Sequence, residues 1–145
     1  VELFQDSLLL VTSNSHPWVR GTPPAGNADL AGQRYLLPGE RSTTAQMVRE
    51  WFNHHSIELS NCVEIPSLSA AIRLVETGFG VGVAPAWAID RELKAGTLHA
   101  FPFLQENLRR TWMISMRPTH RFSPLEAFFI RALKEGTSSL ADSTL

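Results

Sequence analysis

Two stretches of this sequence combine hydroxyl side chains with the start of a helix. Pro38-Gly39-Glu40-Arg41-Ser42-Thr43-Thr44 closes an apolar run and opens a helical pattern, and Ile65-Pro66-Ser67-Leu68 repeats the arrangement. The first turn of a helix leaves backbone N–H groups without partners and carries the positive end of the helix dipole, so it holds anions readily. Hydroxyls add donors that rotate to suit a ligand. The same residues also serve as plain N-caps, with Glu40 and Arg41 neutralising one another on the surface. In an open α/β sheet, ligands sit outside the carboxyl ends of strands, where helices begin, so two such starts can face one cleft.

The remaining reactive residue types are scattered. His54 and His55 are neighbours on a helix, about 100° apart around its axis, and do not share one metal easily; they read as its solvated end. His16, His99 and His120 fall in turns or at strand ends, without a carboxylate or cysteine at metal-ligand spacing. Cys62 lies in an apolar strand and reads as a small core residue. The sequence contains no G-x-S-x-G elbow, P-loop or dinucleotide fingerprint. Gly78-Phe79-Gly80-Val81-Gly82 follows a helix and becomes a strand, the reverse of a phosphate-cradling loop, so its glycines read as packing residues. Arg109, Arg110, Arg117, His120 and Arg121 flank a strand without any recognition helix or aromatic interleaving, which argues against nucleic-acid contact through this segment.

The elements that must position these residues alternate. Apolar runs predict strands at Ser7–Thr12, Arg34–Leu37, Cys62–Ile65, Gly80–Pro85, Leu98–Phe101 and Thr111–Met116. Helical spacing covers Thr43 to His55, with Met47, Val48, Trp51 and Phe52 on one face, then the helix after Pro66-Ser67, then Ala86 to about Leu93. Residues 13 to 32 read as a long surface connection with one turn of helix near Asp29-Leu30. The last helix begins with a capping box, Ser123 with Glu126 and Pro124 between them. Leu125, Phe128, Phe129, Ala132 and Leu133 form its expected buried stripe, Gly136 its expected end, and residues 137–145 a flexible tail. Strands alternating with helices imply the α/β class, with a parallel or mixed sheet covered by helices.

Composition narrows the function classes. The chain has 145 residues, 43% hydrophobic and 19% charged, which suits one packed domain. A net charge of −1 lacks the basic surplus of a free-standing nucleic-acid binder. A single cysteine forms no internal disulfide, and no apolar run approaches a membrane span. The first residues lack the pattern of a signal peptide.

Read in order, several segments resemble the effector-binding domain of LysR-type transcriptional regulators. Asp6-Ser7-Leu8-Leu9-Leu10-Val11 followed by His16-Pro17-Trp18 looks like the family's crossover strand and turn, and Asp29-Leu30-Ala31-Gly32-Gln33 like a later segment. Ser67-Leu68-Ser69-Ala70-Ala71-Ile72 with Leu74-Val75-Glu76-Thr77-Gly78-Phe79-Gly80-Val81-Gly82-Val83-Ala84-Pro85 matches the family's most recognisable block. Glu92-Leu93-Lys94-Ala95-Gly96-Thr97-Leu98, Arg110-Thr111-Trp112 and Leu125-Glu126-Ala127-Phe128-Phe129 support it, so Leu3 to Leu133 is covered. Ser67-Leu68 and the segment from Trp87 to Leu98 look most like the branch of carbon-fixation and sulfur-metabolism regulators.

The resemblance implies a type II periplasmic-binding-protein-like fold, two α/β subdomains clasping a small polar metabolite. It places the effector-binding domain at 1–136, with 12–110 as the second subdomain and 111–136 as return strand and closing helix. It implies no catalysis and no cofactor, a cytoplasmic protein, dimers or tetramers, and promoter DNA held by an N-terminal domain outside this chain. The implied effector contacts are the hydroxyls of Ser42, Thr43, Thr44 and Ser67, with Arg41 as charge partner and Pro66 at the rim. An Arg often follows the hydroxyl cluster in related branches, whereas Ala45 stands here. If the first subdomain is only partly present, the apolar faces of Leu8 to Val11 and of the Phe128-Phe129 helix are expected to lack partners and to promote self-association or partial disorder. The competing readings are a fragment of a type II solute-binding protein of a transporter, a small α/β hydrolase or transferase using Ser42 with a histidine, and a structural oligomerisation piece.

Overall fold

The computed structural model describes residues 1–141. Six strands and six helices follow one another as β1 (Glu2–Ser13), α1 (Pro17–Arg20), α2 (Asn27–Leu30), β2 (Tyr35–Leu37), α3 (Thr43–His54), β3 (Cys62–Glu64), α4 (Leu68–Glu76), β4 (Val81–Pro85), α5 (Asp90–Ala95), β5 (Leu98–Phe101), β6 (Leu108–Met113) and α6 (Pro124–Ala141). The sheet is mixed, in the order β3-β2-β4-β1-β5, with β6 also pairing β1. β2 runs parallel to β3 and β4, while β1 is antiparallel to β4 and β5. The chain divides into two compact units, Leu8–Leu108, and Val1–Ser7 together with the residues from Arg109 onward.

In the unit Leu8–Leu108 the alternation of strand side chains builds a core on each face of the sheet. Leu8, Leu10, Tyr35, Leu37, Val81 and Val83 point to one face, where Val48, Trp51 and Phe52 of α3 cover them. Val11, Leu36 and Ala84 point to the other, under Val75 of α4 and Ile89. The helical spacing read from the sequence therefore buries one stripe of α3 and one of α4. Gly80 has a specific reason: a Cβ there would lie 2.5 Å from the Arg34 carbonyl oxygen, where β2 and β4 converge. Gly78 takes φ +78° just after α4, a left-handed position open to glycine at little cost.

The unit built from Val1–Ser7 and the described residues after Leu108 has a polar anchor. Arg110 donates from Nε and Nη2 to the two carboxylate oxygens of Asp6, and Trp112 Nε1 donates to the same group. Val1 and Ile114 exchange backbone hydrogen bonds of 2.8 Å. Ser123 and Glu126 form the expected capping box, Glu126 accepting from the Ser123 N–H and the Glu126 N–H donating to Ser123 Oγ.

Several sequence expectations need correction. β1 begins five residues earlier than the apolar run, at Glu2, because the pairing there is set by β6 rather than by hydrophobicity. Residues 13 to 32 hold a short helix, α1, besides the expected helical turn, which is α2, and the helix expected from Ala86 breaks into a 3-10 turn at Ala86–Ala88 followed by α5. β6 lies about three residues before its expected place, at Leu108–Met113. α6 continues through Gly136 to Ala141, so the expected end and part of the expected tail are helical; residues 142–145 of that tail lie outside the described residues. The expected buried stripe of α6 is exposed, with Leu125 at 76%, Phe128 at 61% and Phe129 at 59%. Leu8 to Val11, by contrast, are buried, because β4 and β5 flank them.

Candidate functional site

β2 and β3 end side by side. Leu37 stands opposite Glu64 in the parallel register, and Ile65 N–H donates to the Leu37 carbonyl at 2.8 Å. Their following segments therefore leave the sheet together, as expected at the carboxyl edge of parallel strands. The turn Pro38–Ser42 forms one wall of an open cleft of about 430 Å³, and Glu64 with Pro66 forms the other. Ser42 N–H donates to the Gly39 carbonyl at 2.8 Å, which tightens that turn.

Both helix starts are capped by the predicted hydroxyls. Ser42 Oγ accepts from Ala45 N–H at 3.1 Å, and Ser67 Oγ accepts from Ala70 N–H at 3.3 Å. A capping hydroxyl acts as acceptor and keeps its own hydrogen to donate elsewhere. Of the six sequence-predicted contacts, Arg41, Ser42 and Pro66 line the cleft together, while Thr43, Thr44 and Ser67 follow the lining residues in the chain without lining it. Glu40 and Arg41 do not pair with each other. Glu40 instead lies 3.7 Å from Arg49 across an exposed gap. Among the described residues, the side chains of Arg41 and Glu64 make no hydrogen bond or ion pair.

Glu64 is the lining residue that spacing and composition did not single out. Its carboxylate lies so close to Gly39 that a Cβ at that position would fall 2.8 Å from Oε1. The available signal was its place as the last residue of a strand, two before Pro66, on the edge where ligands collect.

The other reactive residues are accounted for elsewhere. His55 is not a solvated helix end: its ring stacks on Trp51 at 4.0 Å, and its nitrogens meet the Trp51 carbonyl at 2.8 Å and Glu106 Oε1 at 3.2 Å. Cys62 is half-buried with Arg49 Nη2 3.9 Å from its sulfur. Burial pushes its thiol up, only partly opposed by Arg49, which makes it a poor nucleophile. Arg110 is engaged by Asp6. No group of three or more His, Cys, Asp or Glu among the described residues could hold a metal ion, and no described helix is long and apolar enough to cross a membrane.

Comparison with known proteins bears on the family and the fold. An uncharacterized HTH-type transcriptional regulator of Escherichia coli, YfiE, is 25% identical over 92% of this chain and 45% of its own length. A probable RuBisCO transcriptional regulator of Synechocystis is 23% identical over 96% of this chain and 41% of its own. The chain thus spans less than half the length of these relatives. Among solved structures, the regulatory domain of CcmR from Synechocystis, in complex with 2-PG, superimposes with a TM-score of 0.82 at 17% identity, covering 94% of this chain and 65% of that one. The fold is accordingly α/β of the type II periplasmic-binding-protein-like kind, and the matches lend no support to a transporter component. The family model described as the LysR substrate binding domain matches residues 1–138, and the chain belongs to that family.

Proposed function

We propose that this chain is the ligand-sensing part of a LysR-type transcription factor and takes a small polar metabolite in the cleft between Pro38–Ser42 and Glu64–Pro66. The observation that carries this reading is the delivery of a turn and two strand ends to one concave site by parallel strands in register. Ser42 donates its free hydroxyl hydrogen, Arg41 supplies charge and Pro66 shapes the rim. Thr43, Thr44 and Ser67 are further donors beside them. The protein is not an enzyme on this reading: the described residues include no activated nucleophile, and the relatives named above are regulators.

The signal follows from differential binding. A ligand biases a conformational equilibrium only by its unequal affinity for the two states, and that bias reaches promoter DNA through a DNA-binding segment outside this chain. Self-association in the cytoplasm, as a dimer or tetramer, completes the proposal; the exposed Phe128 and Phe129 support it.

The test is a thermal-shift panel of small metabolites, followed by titration of each hit against Ser42→Ala and Ser67→Ala. Binding lowered in the variants, with their unfolding midpoints retained, is the expected result. Hits whose affinity is indifferent to both substitutions would move the site elsewhere. A panel without hits would favour a purely structural role.

A further inference from the structure

The cleft carries more acid than a receptor for simple anions would. Glu64 and Glu40 both line it, against the single cation Arg41. Glu40 lies 3.7 Å from Arg49, a cation that is not itself part of the lining. Glu64 has no such neighbour: its side chain makes no ion pair or hydrogen bond among the described residues. Its carboxylate instead rests against the Gly39 backbone, in space that any side chain at that position would contest.

An ionised carboxylate facing a ligand cleft sets two conditions on what enters. It repels a second carboxylate or phosphate placed next to it, and it rewards an ammonium group with a charge-assisted hydrogen bond. The turn that this carboxylate touches sets the complementary condition. There Arg41 and the start of α3, a helix of 12 residues, favour negative charge. A cation and an unpaired carboxylate thus border the same cleft, and a ligand within it meets both.

We infer that the ligand of this cleft is a zwitterion of the amino-acid type, with its carboxylate toward Arg41 and Ser42 and its ammonium toward Glu64. This rests on the effector-cleft reading above and adds the charge pattern of the effector. Repulsion by Glu64 disfavours a simple polyanion, and a neutral sugar would leave both charges unanswered.

The experiment titrates the chain with the common L-α-amino acids and with the 2-hydroxy acid matched to each hit, in which a hydroxyl replaces the ammonium. Isothermal titration of the original chain, Glu64→Gln and Ser42→Ala gives the readout. An amino acid that binds about tenfold tighter than its hydroxy counterpart, with the preference lost in Glu64→Gln, is the expected result. Hydroxy acids that bind as well as amino acids, or that tighten in Glu64→Gln while Ser42→Ala weakens them, would overturn the zwitterion and leave the cleft standing. An amino acid that binds all three proteins equally would overturn cleft and zwitterion together. Absence of binding by every amino acid at millimolar concentration would also overturn the inference.

Discussion

His55 Nε2 lies 3.2 Å from Glu106 Oε1, and the same carboxylate accepts a 2.7 Å hydrogen bond from Trp51 Nε1. The other ring nitrogen of His55 faces the Trp51 carbonyl, which only accepts. Both contacts of the imidazole are therefore hydrogen bonds only when both its nitrogens carry hydrogen. This cluster ties the end of α3 to the turn between β5 and β6, a link that sequence spacing does not reveal.

The Trp51 hydrogen bond, then that of His55, hold the Glu106 carboxyl below the usual carboxylate range. A carboxyl depressed in the folded state contributes stability above its unfolded pKa, and that contribution fades as pH falls through the lower folded value. Glu106→Gln is expected to unfold at lower urea than the original chain at pH 7. The gap should close on acidification through the carboxylate range, about pH 4 and below. Paired urea titrations at pH 7, 5 and 3 check it, and a gap independent of pH would refute the assignment.

Asp6 and Arg110 make the second prediction. The Asp6 side chain is 2% exposed and that of Arg110 14%, so removing the acid strands a guanidinium away from water. Breaking such a pair from one side costs about 3–5 kcal/mol. Asp6→Ala is expected to fall in that range by urea unfolding. Trp112→Phe, which deletes one hydrogen bond to Asp6, is expected to cost about 1 kcal/mol. Equal losses in the two variants would contradict the central place of the ion pair.

Much of the fold was legible because local chemistry and tertiary structure agree. Ser42, Ser67 and Ser123 cap the helices they were expected to cap, and the α3 stripe of Val48, Trp51 and Phe52 is buried. Prediction failed where the decisive partner is distant in sequence. β1 extends to Glu2 because β6, a hundred residues away, pairs with it. The α6 stripe reads as core by periodicity, yet periodicity records only that a face is apolar, not what covers it. At the candidate cleft, Arg41, Ser42 and Pro66 carried a local signal as helix starts. Glu64 did not, because its proximity to Gly39 depends on the register of two strands.

Gly80 gives a test of close backbone approach. An added methyl would meet the carbonyl oxygen of Arg34 at 2.5 Å, and that oxygen also accepts from Val81 N–H at 2.8 Å. Relief requires β2 and β4 to separate at their junction. Overpacking of this kind costs about 1–3 kcal/mol. Gly80→Ala is expected in the upper half of that range, against a near-neutral Gly26→Ala, whose added Cβ meets nothing within 4 Å. Chemical denaturation of the two variants side by side distinguishes a packing role for Gly80 from a dispensable one.

Gly136 presents the opposite case. Spacing marks it as the end of the last helix, but α6 passes through it to Ala141, and its φ is not among the positive values. A Cβ there would meet nothing within 4 Å. Glycine inside a helix costs roughly 0.5–1 kcal/mol relative to alanine, mainly through backbone entropy in the unfolded chain. Gly136→Ala is therefore expected to stabilise α6 by about that amount and to raise helicity in circular dichroism. A left-handed terminator would respond the other way, since alanine is strained at positive φ. A loss of stability in this variant would place the helix end at Gly136, whereas a gain with slower amide exchange across residues 133 to 138 would confirm a continuous helix.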